Sequence, residues 1–514
     1  MSIDWANSGV DLLLELPGGQ RRAGLEYALR DAVRSGRLVP GTLLPSSRAL
    51  AAELGMARNT VADAYGQLVA EGWLTARQGA GTRVAARTMP VTGHATVPHQ
   101  TMAPGRRTYD LTPGRPDLAG FPRSGWLAAA RRAITAAPSH ELGYPDPRGL
   151  PGLRDTLAQY LARVRGVRTT PDRIIICSGF VQALHLLSVA LCRLGASTIA
   201  VESYGFGLHR DVIRAAGLAT RPVTVDGSGA RVGELAAPPV AGAPVAGAPA
   251  AAAPAGAVLL TPAHQFPLGV ALTAQRRAAV LGWARDSGAL IIEDDYDGEF
   301  RYDRRPLGAL QSLAPDLVAY AGTASKSLAP GLSLAWLVLP PHLVDLLVET
   351  KRLSVGRTGV LAQLTMAEFI GSGAYDRHIR RSRLRYRRRR DRLVALLAER
   401  SPEVAVSGIA AGMHAVLRLG RNLRQPDEAG ILSRAARAGL TIQGLGDFRY
   451  DGHLGYHPGR NTGPGHASGP GPSPGPGSAS GSGQDTPAAL VVGYGTPPDH
   501  AFSGALDTLC DVLG

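Results

Sequence analysis

At 514 residues and 45% hydrophobic content, the chain is long enough for two to four domains with substantial cores. A net charge of +14 favours an anionic partner such as nucleic acid. Three widely spaced cysteines, Cys177, Cys192 and Cys510, argue against a disulfide framework or a CxxC zinc site and suit a reducing cytoplasm. The start "MSIDWANSGVDLLLEL" has early acids and no basic lead into an apolar run, so no signal peptide is expected. The longest uncharged stretch, about 235–262, is too rich in Pro and Gly for a membrane span, and none is expected.

Residues from about 20 to 86 read as three helices and a hairpin. "RAGLEYALRDAVRSG" has helical periodicity and stops at Gly36. "SSRALAAELG" opens on Ser46 and Ser47, both candidate caps, and closes on Gly55. "ARNTVADAYGQLVAEG" then begins a further helix within a few residues, the helix-turn-helix outline whose second helix enters the major groove. "WLTARQGAGTRVAA" supplies two short strands around a Gly-containing turn, as a wing would. This stretch, 1–86, resembles the winged helix-turn-helix domain of GntR-type regulators, on "SGRLVPGTLLPSSRALAAELGMARNTVADAYGQLVAEGW" and "RQGAGTRV". The resemblance implies that Arg48, Arg58, Asn59 and Thr60 meet double-stranded operator DNA from the helices, and Gln78 and Gly79 from the wing. Those residue types suit DNA contact, since Arg binds phosphate or guanine, Asn and Thr reach base edges, and Gly lets backbone approach. Ala57 stands where the family often has Ser or Thr. The module holds nine Arg against eight acids, so DNA affinity there depends on placement and not on bulk charge.

Residues 87–108 are polar, Pro-containing and aperiodic, and read as an interdomain linker. From 109 to 514, apolar runs such as "RIIICS", "STIAVE", "AVLLTP", "ALIIED", "LVAYAG" and "AWLVLP" alternate with helical patterns, which predicts an α/β domain with a mainly parallel sheet. Two stretches, about 227–257 and 457–487, are Ala/Pro/Gly- or Gly/Pro/Ser-rich and read as disordered insertions. "DRHIRRSRLRYRRRRDRL" packs ten Arg between 377 and 392, read as a mostly solvated helix, with a supplementary DNA-backbone contact as the alternative.

In parallel sheets ligands sit beyond strand C-termini, and the chemistry gathers there. Of 55 basic residues only Lys326 and Lys351 are lysine. A lysine can lose its proton and attack a carbonyl, which an arginine cannot. "AGTASKS" places Thr323, Ser325 and Lys326 after one strand, and "LIIEDDYDGEF" places Asp294, Asp295 and Tyr296 after another. "IIICSGF" offers Ser178 and Gly179 at a strand-to-helix junction, where free N–H groups bind phosphate. Amine, carboxylate, phenol and phosphate cradle together match the needs of pyridoxal 5′-phosphate (PLP).

The region from about 109 onward is similar to fold-type I PLP-dependent aminotransferases, on "YPDPRGLPGLRDTLAQYL", "CSGFVQAL", "TPAHQFPLG", "EDDYDGEFRY" and "GTASKSLAPGL" in that order. With the N-terminal module, the whole chain resembles MocR/GabR-type regulators. The resemblance implies that Lys326 carries PLP as a Schiff base, Asp294 pairs with the pyridine nitrogen and Tyr296 with the ring hydroxyl. It puts Ser178, Gly179, Phe180, Thr323 and Ser325 at the phosphate, with Tyr144 reaching it from a partner subunit, Phe206 on the ring face, and His264 and Gln265 near the ring hydroxyl. Two positions depart from the pattern. Ser333 replaces an Arg that pairs with the phosphate, which weakens that grip. Val491 replaces an Arg that holds the substrate carboxylate in catalytic relatives. The expectation is a homodimeric DNA-binding regulator sensing PLP or a small amine, without efficient transamination. The alternatives are an active aminotransferase with a DNA-binding head, or a regulator whose second domain has lost the cofactor.

Overall fold

The computed structural model describes residues 21–77, 80–86, 109–236, 254–302, 307–354, 357–420, 427–450 and 488–514. The chain divides into two compact units, Met1–Pro104 and Gly105–Gly514. The linker read at 87–108 and the insertion read at 457–487 lie outside the described residues.

The first unit contains helices α1 (Arg21–Arg34), α2 (Ser47–Glu53) and α3 (Arg58–Ala70), followed by strands β1 (Leu74–Arg77) and β2 (Gly81–Val84). Its core is the apolar stripe of each helix, with Leu25, Leu29, Leu50, Val61 and Leu68 buried together with Leu74 and Val84 from the hairpin. Burying such stripes is worth about 1.5–3 kcal/mol per large side chain. Polar bonds fix the geometry on this core. The Tyr65 hydroxyl donates to the Pro45 carbonyl at 3.0 Å, and Arg30 on α1 grips Glu71 beyond α3 at 2.8 and 2.9 Å. That guanidinium holds the Glu71 carboxyl down at about 2.

The second unit is built on a seven-stranded sheet. Its strands are β3 (Ile174–Cys177), β4 (Thr198–Glu202), β5 (Ala219–Val223), β6 (Ala257–Leu260), β7 (Leu290–Asp295), β8 (Val318–Thr323) and β9 (Ala335–Val338), in the spatial order β3-β9-β8-β7-β6-β4-β5. Only β9 runs antiparallel to its neighbours, so the sheet is mainly parallel, as the alternation predicts. Residues of β3, β6, β7, β8 and β9 are buried throughout because helices cover both faces. Helices of this unit include α4 (Pro151–Arg165), α5 (Phe180–Arg193), α6 (Gly207–Ala215) and the long α7 (Ala374–Arg400). A smaller antiparallel sheet joins 405–407, 414–418, 489–493 and 443–444 in that order.

Two features differ from expectation. Strand β5 escapes sequence reading because it is an edge strand carrying Pro222, where a missing N–H costs no ladder bond. The insertion read at 227–257 is too wide. Gly229–Ala230 pairs with Val225–Asp226, Val232–Leu235 forms a 3-10 turn, and Ala257 opens β6. Val232 and Leu235 are buried against Val258, Leu272 and Val280, so apolar anchoring outweighs the local composition. Residues 237–253 lie outside the described residues.

Candidate functional site

In the first unit, the Ser46 hydroxyl accepts the Ala49 N–H at 3.2 Å and caps α2, while Ser47 is already helical. Helix α3 starts after Ala57, which offers no side-chain oxygen to its first turn. Exposed Arg58 and Asn59 and half-buried Thr60 therefore surround a helix N-terminus not capped by a side chain, a natural contact for phosphate. Arg48 is exposed on α2. Neither Arg48 nor Arg58 is tied to another described residue. Gln78 and Gly79, the wing-tip candidates, lie outside the described residues; β1 and β2 pair antiparallel on either side of them.

In the second unit, the predicted cofactor residues come from distant stretches to one cavity of about 330 Å³ at the C-terminal ends of the parallel strands. Ser178, Gly179, Phe180, Phe206, Asp294, Tyr296, Thr323, Ser325 and Lys326 all line it. Strand alternation explains how β7 feeds the site. Successive side chains point to opposite faces, so the three carboxyls of "EDD" separate into different roles. Glu293 accepts the N–H groups of Leu310 and Gln311 at 2.7 and 2.9 Å. Asp295 forms a buried pair with Arg165 at 2.6 and 2.9 Å and accepts the Tyr320 hydroxyl at 2.7 Å. Asp294 alone faces the cavity.

Lys326 donates to the Gly114 carbonyl at 2.5 Å. Burial pulls its amine below the usual lysine range, against the pull of Asp294 and Asp297, while Arg115 adds to the lowering. Burial likewise pushes the Asp294 carboxyl well above the carboxylate range, against the charge of Lys326. Both shifts favour the uncharged forms, and an uncharged amine is the nucleophile. Gly114 has a φ of +76°, and a Cβ there would come within 3.3 Å of Phe206, so only glycine suits this close approach.

The cradle forms where β3 gives way to α5. Gly179 sits at φ +136°, a conformation closed to L side chains, and precedes the first turn of α5. The Ser178 N–H donates to the Gln182 side chain at 2.6 Å. Thr323 and Ser325 are joined through their hydroxyls at 2.9 Å. Phe206 stacks on Phe266 at 4.3 Å with nearly parallel rings, so one of its faces is already covered.

Three expected residues do not themselves line the cavity of this chain. His264 and Gln265 do not line the cavity. His264 Nδ1 lies 2.8 Å from Asp297 and 3.1 Å from the Tyr296 hydroxyl. Gln265 turns its amide to the carbonyls of Tyr204 and Phe266 at 3.0 and 2.6 Å. Phe266, the next residue, is the one on the wall. Tyr144 is 88% exposed, with Arg357 4.4 Å above its ring, and is not part of this chain's cavity. Ser333 is exposed at the end of a 3-10 turn with φ +48° and also misses the cavity. Val491 is fully buried in an apolar cluster with Phe266, Tyr296 and Phe448.

Sequence reading missed Glu202, His209 and Arg210, which also line the cavity. Burial drives the His209 imidazole down to about 3, keeping it neutral. It drives the Glu202 carboxyl up to about 7, although Thr261 donates to it at 2.6 Å. Arg210 bonds the carbonyls of Gly205 and Arg449 at 3.3 and 3.2 Å. All three lie within the stretch "VESYGFGLHR", and their signal was position at or just beyond the C-terminal end of β4.

Among known proteins, residues 22–84 match the bacterial regulatory proteins of the gntR family, and residues 111–437 match aminotransferase class I and II. The chain is 33% identical over 427 residues to the HTH-type pyridoxine biosynthesis transcriptional regulator PdxR of Corynebacterium glutamicum, covering 82% of this chain and 88% of that protein. It is 32% identical over 436 residues to the probable rhizopine catabolism regulatory protein MocR of Rhizobium meliloti, covering 80% and 83%. In structure it resembles Pyrococcus horikoshii kynurenine aminotransferase, with a TM-score of 0.63 at 21% identity over 79% of this chain and 90% of that one, a likeness of fold. No described helix is long and apolar enough to cross a membrane. A winged helix-turn-helix head followed by an aminotransferase-like unit, matched along most of the chain by regulators of the same build, makes this protein a member of the MocR-type DNA-binding transcriptional regulators.

Proposed function

We propose that the second unit holds PLP on Lys326 and that the regulator reads the presence of the cofactor itself, not the turnover of an amino acid. The observation that carries this is the meeting of a half-buried amine, lowered by its surroundings, and a buried carboxyl in one cavity beside the N-terminus of α5. The donor set fits the cofactor. Lys326 would hold its aldehyde end, Asp294 its ring nitrogen, Tyr296 its ring hydroxyl, and Ser178, Gly179, Phe180, Thr323 and Ser325 its phosphate. Bound there, PLP supplies an aldehyde that captures primary amines and a ring that draws electrons from them.

The rest follows from the chain's own groups. The Gly114 carbonyl aims the Lys326 amine, and burial keeps a larger share of it unprotonated than at an exposed lysine. Neutral His209 and the Phe206–Phe266 stack line the cavity without adding charge. At the two departures from the aminotransferase pattern, the residues support binding over turnover. Ser333 leaves the phosphate without its usual ion pair, which favours reversible occupancy. Val491 fills with hydrocarbon the place where a substrate carboxylate would need a cation. The likeness to the C. glutamicum regulator of pyridoxine biosynthesis supports the same reading. A homodimer would bring Tyr144 to the partner's phosphate and pair two DNA-binding heads for two half-sites.

Titrating PLP into the full chain and into Lys326→Ala, followed by absorbance, tests the proposal. Wild type should develop a new visible band that Lys326→Ala lacks, and amino acid with keto acid should give no turnover. Identical spectra would remove Lys326 from the site, and steady turnover would replace the sensor with an enzyme.

A further inference from the structure

The long helix α7 carries more positive charge than its packing uses. Its inward stripe is accounted for. Tyr375, Ile379, Tyr386, Leu393 and Leu397 are buried at helical spacing. The arginines turned inward each have a partner. Arg385 bonds Asp117 at 2.6 Å, and Arg389 bonds Asp499 at 2.6 Å and the Gly495 carbonyl at 2.8 Å. Arg383 is held on the Glu299 carbonyl.

The outward side is different. Arg377, Arg380, Arg381, Arg387, Arg388 and Arg392 are exposed there. Arg377 bonds only a nearby carbonyl, of Ser372, and Arg387 has a loose partner in Asp391 at 3.8 Å. Arg380, Arg381, Arg388 and Arg392 have no ion pair or hydrogen bond to any described residue. Arginines repeat at i,i+4 along this side, as at 377/381 and 388/392, and like charges at that spacing destabilise a helix by about 0.2–0.5 kcal/mol per pair. A solvated helix gains nothing from this pattern, since alternating acids would support it better. The pattern makes sense when a polyanion neutralises it.

We infer that the outward side of α7 is a second binding surface for the phosphodiester backbone of double-stranded DNA, distinct from the winged head and indifferent to sequence. Residues 377–392 span about 24 Å of helix, against one phosphate per strand for roughly every 3.4 Å of duplex axis. Guanidinium groups suit phosphate because they present forked, permanently charged donors. The head supplies almost no net charge of its own, with nine Arg against eight acids in residues 1–86. DNA held by the head stays tethered to the same chain, which raises its local concentration at α7. The head then reads sequence while α7 adds salt-sensitive affinity.

The test uses the full chain and a 60-bp mixed-sequence duplex, with binding measured by anisotropy across a salt series. Neutralising all four unpartnered residues (Arg380, Arg381, Arg388 and Arg392→Gln) should lower the slope of log affinity against log salt by roughly 3 and weaken binding at least tenfold at low salt. The same four sites changed to Lys should restore most of the slope. Unaltered circular dichroism and thermal unfolding would show that the Gln variant is folded; if it unfolds, the pairwise variants Arg380/Arg381→Gln and Arg388/Arg392→Gln should each lose about half the slope. An unchanged slope in any folded Gln variant overturns the inference, as does a wild type that binds phosphatidylserine vesicles but no duplex. Arg58→Ala separates this surface from the head, because it should reduce preference among sequences while leaving the share of the slope due to α7.

Discussion

Replacing Arg165 by Met should destabilise the second unit by about 3 kcal/mol, the low end of the range for orphaning one member of a buried ion pair. The side chains of Arg165 and Asp295 are 5% and 2% exposed, so neither can exchange its partner for water. The substitution removes two charge-assisted bonds to Asp295, at 2.6 and 2.9 Å, and one to the Leu307 carbonyl at 2.9 Å. Met fills much of the volume, and the Tyr320 hydroxyl still donates to Asp295, which holds the cost at the lower end. With about 2.1 cal/mol/K of unfolding entropy per residue, a unit spanning Gly105–Gly514 should lose about 3–4 °C in Tm. Differential scanning calorimetry of the full chain reads this directly. The double variant Arg165→Met with Asp295→Asn should recover most of the loss, because the stranded charge is gone. A shift below about 1 °C, or a double variant no better than the single one, would refute the reasoning that burial sets the cost.

Four further outcomes follow from other sites. Arg58→Ala should weaken binding to a selected operator by about 1–3 kcal/mol and leave the PLP spectrum unchanged, read by gel shift and absorbance. Gly179→Ala should cost about 1–3 kcal/mol in stability and weaken PLP binding, because its φ of +136° strains any Cβ-bearing residue; calorimetry and a PLP titration check both. The Glu202 carboxyl titrates at about 7 in the fold against an ordinary 4.5, so the protonated form is the one the fold favours. Its stabilising contribution is complete below pH 4.5 and is lost as pH rises through 7. Glu202→Gln should therefore gain about 1–3 kcal/mol over wild type at pH 8 and little at pH 4.5, by denaturant unfolding. Since the Lys326 amine is lowered by burial, the rate of PLP capture should rise with pH and level off below the ordinary lysine value of 10.5; a stopped-flow pH profile still climbing at 10.5 would contradict it.

Much of this was legible in the sequence because strand and turn chemistry is local. Five of the six quoted apolar runs are continuously buried strands, and the Ser-Gly, Asp-Asp-Tyr and Ser-Lys signals sit at their ends. What failed was anything needing alternation of faces or contacts across the chain. The resemblance singled out Asp294 from "EDD", but the separate roles of Glu293 and Asp295 follow from the pleat and could not be read in advance. "HQF" pointed to His264 and Gln265, whereas contacts with Asp297, Tyr296 and Tyr204 hold both behind the wall and leave Phe266 on it. Gly114, 212 residues before Lys326, gave no signal beyond a Pro-Gly turn. Tyr144 is a different case, since its side chain is exposed and lies outside the cavity of its own chain.

Lys351 shows what the scarcity of lysine means for labelling chemistry. Its ammonium is buried on the carbonyls of Pro147 and Ile176 at 2.5 and 2.6 Å, where a compact cation fits and a planar guanidinium would not. Lys326 is the chain's only other lysine. Amine-specific reagents therefore meet only two lysine side chains, Lys326 half-buried on the cavity wall and Lys351 fully buried. A borohydride-reduced adduct located by peptide mass spectrometry would be read against a background that lysine-rich proteins never provide.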